Sequence, residues 1–98
     1  MPNKKYLSGR RLEYECMRRW ETKEYHCMRT AGSHGQFDVI AIRWERKPEF
    51  IQCKRVSTIS QANRLLKSFK EVTIPSLYYH QVMEVKVKGS KEILTVTV

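Results

Sequence analysis

Hydrophobic residues in this chain change their period along its length, and the order of those changes limits the fold more than any other property. Leu12, Cys16 and Trp20 recur at i, i+4 and i+8 with Met17 beside them, the apolar stripe of a helix starting at Ser8 or Gly9 and reaching about Thr22. Three β-rich runs follow, Tyr25 to Thr30, Phe37 to Trp44 and Glu49 to Val56, with Arg46-Lys47-Pro48 turning the chain between the last two. Thr58 and Gln61 read as the capping box of a second helix, with Ile59, Ala62, Leu65, Leu66 and Phe69 on its buried face and Pro75 forbidding its continuation. Leu77 to Val87 and Ile93 to Val98 are two further strands, joined by a turn at Lys88-Gly89-Ser90. The predicted order is α-β-β-β-α-β-β. That is an α/β fold, a central mixed sheet flanked by helices. With no repeat, low-complexity tract or linker, residues 1–98 are expected to form a single domain.

Charge narrows the partners. Nineteen Lys and Arg against ten Asp and Glu give a formal net charge of +9, which favours a polyanion, and nucleic acid is the first candidate. The basic residues are spread over the whole chain, as on a charged face of a folded body rather than in a disordered arm. Ninety-eight residues are too few for a separate recognition domain or an ATPase motor. The chain has no run of about 18 apolar residues to span a bilayer, and Met1-Pro2-Asn3-Lys4-Lys5 lacks the apolar segment of a signal peptide. A cytoplasmic protein without a membrane partner is expected. Cys16, Cys27 and Cys53 are odd in number and contain no C-x-x-C pair, which argues against a disulfide framework and a structural zinc site and makes them small core or semi-buried hydrophobes.

A few polar residues stand out against that background. Asp38 lies inside an apolar strand, where a carboxylate is costly to bury unless it is paired or bound to metal. Alternation puts Ile51 and Cys53 on one face of the next strand and Gln52 and Lys54 on the other. Glu13 sits one position off the apolar stripe of the first helix, from where it can reach into a cleft, and Glu15 is its rival if the helix is rotated. Between the first two strands, Ala31-Gly32-Ser33-His34-Gly35 forms a loop whose glycines permit tight turns and close approach to a ligand. His34 offers a general base there, although a histidine in such a loop is more often merely exposed. Trp44, Tyr78 and Tyr79 suit base stacking or a subunit interface, whereas Trp20 suits the core.

Four pieces, Gly9-Arg10-Arg11-Leu12-Glu13, Arg29-Thr30-Ala31-Gly32-Ser33, Phe37-Asp38-Val39-Ile40 and Ile51-Gln52-Cys53-Lys54, together resemble the PD-(D/E)XK nuclease superfamily. Within it the chain looks most like the small archaeal and viral Holliday junction resolvases. The resemblance covers about residues 8–70 and implies a restriction-endonuclease-like domain. It also implies Mg2+, with Mn2+ as a substitute, held by Asp38, Glu13, the side-chain oxygen of Gln52 and the backbone oxygen of Cys53. Lys54 would orient or help deprotonate the attacking water, or stabilise the transition-state anion. Arg29 and Ser33 would contact the DNA backbone, and Lys4, Lys5, Arg10, Arg11 and Arg55 would extend the basic surface. The partner implied is branched DNA, above all a four-way junction, cut by a homodimer with two active sites in an archaeal cell or a virus-infected host.

One position departs from the superfamily pattern: Gln52 stands where Glu or Asp is usual. An amide oxygen coordinates Mg2+ without bringing charge, so the site is expected to need millimolar Mg2+ or to prefer Mn2+. Three alternatives to a junction endonuclease follow: a catalytically silent DNA-binding module with a degenerate site, a nuclease of the same superfamily acting on flaps, single strands or invading duplex, and a basic RNA-binding module. The last leaves Asp38 and Lys54 without a role.

Overall fold

A computed structural model describes residues 4–30 and 36–98, with side chains from residue 9 onward. The elements run α1 (Lys4–Glu21), β1 (His26–Arg29), β2 (Val39–Ile42), β3 (Glu49–Val56), α2 (Ile59–Val72), β4 (His80–Val87) and β5 (Ile93–Thr97), in the predicted order. The five strands form one mixed sheet in the order β1-β2-β3-β4-β5. Neighbours are antiparallel except β3 and β4, which are parallel, so α2 is the crossover that parallel neighbours require.

The helices cover opposite faces of the sheet, and side-chain alternation along β4 shows how. Val82 packs with Val39, Ala41, Ile51 and Cys27 beneath Cys16, Met17 and Trp20 of α1. Met83 and Val85, one and three residues along the strand, pack instead with Ala62, Leu65, Leu66 and Phe69 of α2. β4 is thus buried from Gln81 to Val85, as a strand covered on both faces must be. The chain is an α/β/α stack with its core on both sides of β3 and β4.

Several boundaries differ from the predicted ones. α1 starts at Lys4 instead of Ser8 or Gly9, because Lys, Tyr and Leu are adequate helix formers and one interior glycine costs only about 1 kcal/mol. β2 is trimmed at both ends from the predicted 37–44: Glu45 adopts a left-handed φ of 61° in the turn, and at Asp38 the β2–β3 pairing stops. β4 starts at His80, leaving Leu77 and Tyr78 exposed rather than in a strand. In α2, Ile59 is 59% exposed, since the first helical residue projects beyond the sheet. The capping box is present: Thr58 Oγ1 accepts from Gln61 N–H at 3.2 Å while Gln61 Oε1 accepts from Thr58 N–H at 3.2 Å. Gly89 turns β4 into β5 at a φ of 82°, where a side chain would be strained. No helix among the described residues is long and apolar enough to cross a membrane.

Candidate active site

The ladder between β2 and β3 ends abruptly, and the site begins where it ends. Val39 pairs with Ile51, but one residue further the register slips: Asp38 N–H donates to Ile51 O at 2.9 Å. β3 continues along β4, pairing Gln52 with Met83, Cys53 with Glu84 and Lys54 with Val85. β2 and β3 therefore part like a fork. Ladder parity points the N–H and C=O of Cys53 toward the side β2 has left, where a strand would normally satisfy them. Asp38 supplies the missing acceptor. Its Oδ2 takes the Cys53 N–H at 2.9 Å, which fixes a half-buried carboxylate in the opening of the fork. Oδ1 has no hydrogen-bond partner among the described residues.

Register and alternation distribute the other residues. Gln52, half-buried, and Lys54, exposed, share the face of Met83 and Val85, whereas the Cys53 side chain turns to the opposite face under α1. Beyond the fork lies an open cavity of about 440 Å3 whose lining includes Lys54, Arg55 and Lys88. Arg55 also lines an adjoining cavity of about 360 Å3, together with Arg64 and Gln61 at the start of α2. Cations thus collect along the path leading away from Lys54.

Glu13 arrives from α1 but not alone. Arg29 Nε donates to Glu13 Oε1 at 2.9 Å, with both side chains mostly buried. Arg29 pairs with Val39 across β1 and β2, and the next residue, Thr30, donates its N–H to Asp38 O at 3.1 Å. Glu13 is therefore tethered to the same end of the sheet as Asp38, with its charge balanced by a guanidinium. The hydrogen bond to Glu13 raises the Arg29 pKa above its ordinary value, so this cation is permanent. Arg29 also lies 5.0 Å from the centre of the Tyr14 ring, and hydrogen bonds from Arg10 and Arg29 lower the Tyr14 phenol. Glu15 points elsewhere, bridging Arg11 at 3.8 Å and Lys86 at 3.4 Å.

Arg10 and Arg11 stand exposed on the outer face of α1. The side chains of Lys4 and Lys5, together with Ser33 and His34, lie outside the described residues. Two cations of the cavity region, Lys88 and Arg64, were not singled out by sequence reasoning; each is one Lys or Arg among nineteen, and nothing local marks it. Glu84 was also missed, yet it carries the signal that Asp38 carries, a carboxylate in an apolar strand. It is 6% exposed and held by Arg19 Nη2 at 2.6 Å and Trp20 Nε1 at 2.7 Å.

This forked sheet can be compared with known folds. A solved Holliday junction resolvase, Hjc from the archaeal hyperthermophile Archaeoglobus fulgidus, superposes with a TM-score of 0.54 over 91% of this chain and 83% of that one. The two chains share a fold. Sequence identity across the match is 12%, so the likeness is one of architecture, and the roles of individual residues stand on their own geometry. No protein-family model matches the chain, and no curated protein does.

Proposed function

We propose that this chain is a metal-dependent, structure-selective DNA endonuclease acting on branched DNA, with the four-way junction as its substrate. The observation that carries the reading is the fork: a resolvase-like sheet opens where the Asp38 carboxylate is pinned by Cys53 N–H, with Gln52 and Lys54 on the strand alongside. A carboxylate, an amide and backbone oxygens are hard donors, which suits Mg2+ or Mn2+ in kind. Asp38, Gln52 and the Cys53 carbonyl would hold the ion, with Glu13 reaching it directly or through water while Arg29 shares its charge. Such an ion supplies a polarised water and neutralises charge on the transferring phosphate.

The chain's own groups do the rest. Cys53 N–H keeps Asp38 oriented, so no reorganisation is needed when substrate arrives. Lys54, exposed beside Gln52, places an ammonium where negative charge develops. Lys88, Arg55 and Arg64 track the backbone away from the cut and set position rather than sequence. Four large apolar side chains, Trp44, Ile74, Leu77 and Tyr78, are all more than four-fifths exposed. They sit in the β2–β3 turn and the α2–β4 connection, which meet where His80 N–H donates to Pro48 O at 2.9 Å. A second copy covering this end would make the homodimer that two scissile strands require; sedimentation showing a dimer that Tyr78→Lys dissociates would support it, and a monomer at assay concentrations would refute it.

A specific observation favours a second reading, a DNA-binding module without catalysis: Gln52 brings no charge, and Glu13 is already paired. One experiment separates the two. Labelled four-way junction, flap, duplex and single strand are incubated with wild type and Asp38→Ala, first in Mg2+ and then in Mn2+. Nicking near the branch point by wild type alone, with binding retained in the variant, supports the junction endonuclease. Cutting of flap or single strand in preference moves the substrate, and binding without any cutting establishes the silent module.

A further inference from the structure

The fold assembles a second cluster on the α1 face of the sheet. Cys16 Sγ, Cys53 Sγ and a carboxylate oxygen of Glu84 lie within 4.8 Å of one another. They come from α1, β3 and β4, far apart in sequence, and β3–β4 register sets Cys53 directly beside Glu84. Cys16 is fully buried, Glu84 nearly so, and Cys53 half-buried.

A buried and a half-buried thiol by themselves are small hydrophobes. The carboxylate at the third corner is what a hydrophobic account leaves over. Glu84 receives one donor on each oxygen, from Arg19 and from Trp20, and this is how an outer shell orients a metal-binding carboxylate. Each oxygen keeps a further lone pair. Charge also balances: Glu84 with Arg19 sums to zero, and exchanging two thiol protons for one divalent ion leaves that sum unchanged, so the ion adds no net charge to a low-dielectric site. Access exists too, because the 440 Å3 cavity is lined by Cys53 and by Gly9 and Leu12, which share with Cys16 one face of α1.

We propose that Cys16, Cys53 and Glu84 form a site for a thiophilic divalent ion of the zinc type, distinct from the oxygen-donor fork. Thiolates select zinc-like ions over Mg2+. On binding, each Sγ–H bond breaks and each Sγ–metal bond forms, two protons leave to solvent, and a water from the cavity fills the fourth position. The ion ties α1 to β3 and β4 through Cys53, the residue whose N–H holds Asp38.

The test is a Co2+ titration of the reduced full-length chain. The expected result is a sulfur-to-cobalt charge-transfer absorption that saturates at one ion per chain, is displaced by zinc and not by Mg2+, and disappears in Cys16→Ser and Cys53→Ser. It persists in Cys27→Ser and in Asp38→Ala, which separates this site from the fork whether or not the fork cuts DNA. A measurement on wild type alone accompanies it: zinc slows alkylation of Cys53. No absorption, absorption surviving Cys53→Ser, or unchanged alkylation overturns the proposal.

Discussion

Replacing Arg19 with Met tests whether the Glu84 pair holds α1 to the sheet. The guanidinium meets Glu84 Oε1 at 2.6 Å, with the carboxylate side chain 7% exposed and the arginine 34% exposed. Removing one partner of a fully buried pair costs about 3–5 kcal/mol, because a charge is left without compensation, whereas an exposed pair is worth about 0.2–1 kcal/mol. Arg19 stands between these limits, since water reaches part of it, and Trp20 Nε1 still serves the other oxygen at 2.7 Å. The expected loss is therefore about 2 kcal/mol, and at roughly 4–8 °C per kcal/mol for a domain of this size the Tm falls by on the order of 10 °C. Urea unfolding of wild type, Arg19→Met, Glu84→Gln and the double variant closes a cycle. Glu84→Gln removes the charge that Arg19 answers, so the double variant should recover about 1 kcal/mol or more relative to additivity. A loss in Arg19→Met below about 0.5 kcal/mol, or strict additivity, would refute the view that a buried charge pair clamps the helix.

Thr58→Ala removes the side-chain acceptor at the start of α2 and should cost about 1 kcal/mol in urea unfolding, with Thr58→Ser retaining most of it. Burial raises the Cys27 thiol from its ordinary 9.0 to about 11. The unfolded chain then loses that proton first as pH rises, so Cys27 stability is fully present below pH 9 and is lost between 9 and 11; the pH profile of unfolding should be flatter in this window for Cys27→Ala than for wild type, and parallel profiles would count against it. Gln52→Glu restores a charged donor at the fork and should tighten Mg2+ binding by calorimetry several-fold. Weaker binding would show that Gln52 does not face the ion.

Much of the fold was legible because it rests on local rules. The alternation of Ile51 with Gln52 and Cys53 with Lys54, the Thr58–Gln61 box and the Gly89 turn each depend on residues within a few positions of one another, and each is found. The ends of β2 and β4 were not legible, since a strand stops where its neighbour leaves it, and that neighbour is distant in sequence. The same distinction divides the candidate site. Asp38 announced itself as a carboxylate among apolar residues. Its hydrogen bond to Cys53 N–H did not, because that donor is vacant only when β2 and β3 part. Arg29 looked like a DNA contact, and only the approach of α1 to β1 puts Glu13 against it.

The sequence by itself determined the order of elements, the basic character and the kinds of side chain on offer, because periodicity, charge and side-chain chemistry are carried in the chain. The tertiary structure alone decided which residues meet. Cys16, Cys53 and Glu84 show this most plainly: no spacing links them, and linear reading placed the two cysteines among the core or semi-buried hydrophobes. Packing a helix across two parallel strands sets them within 4.8 Å, since a contact between elements follows from register and crossing, which no single segment encodes.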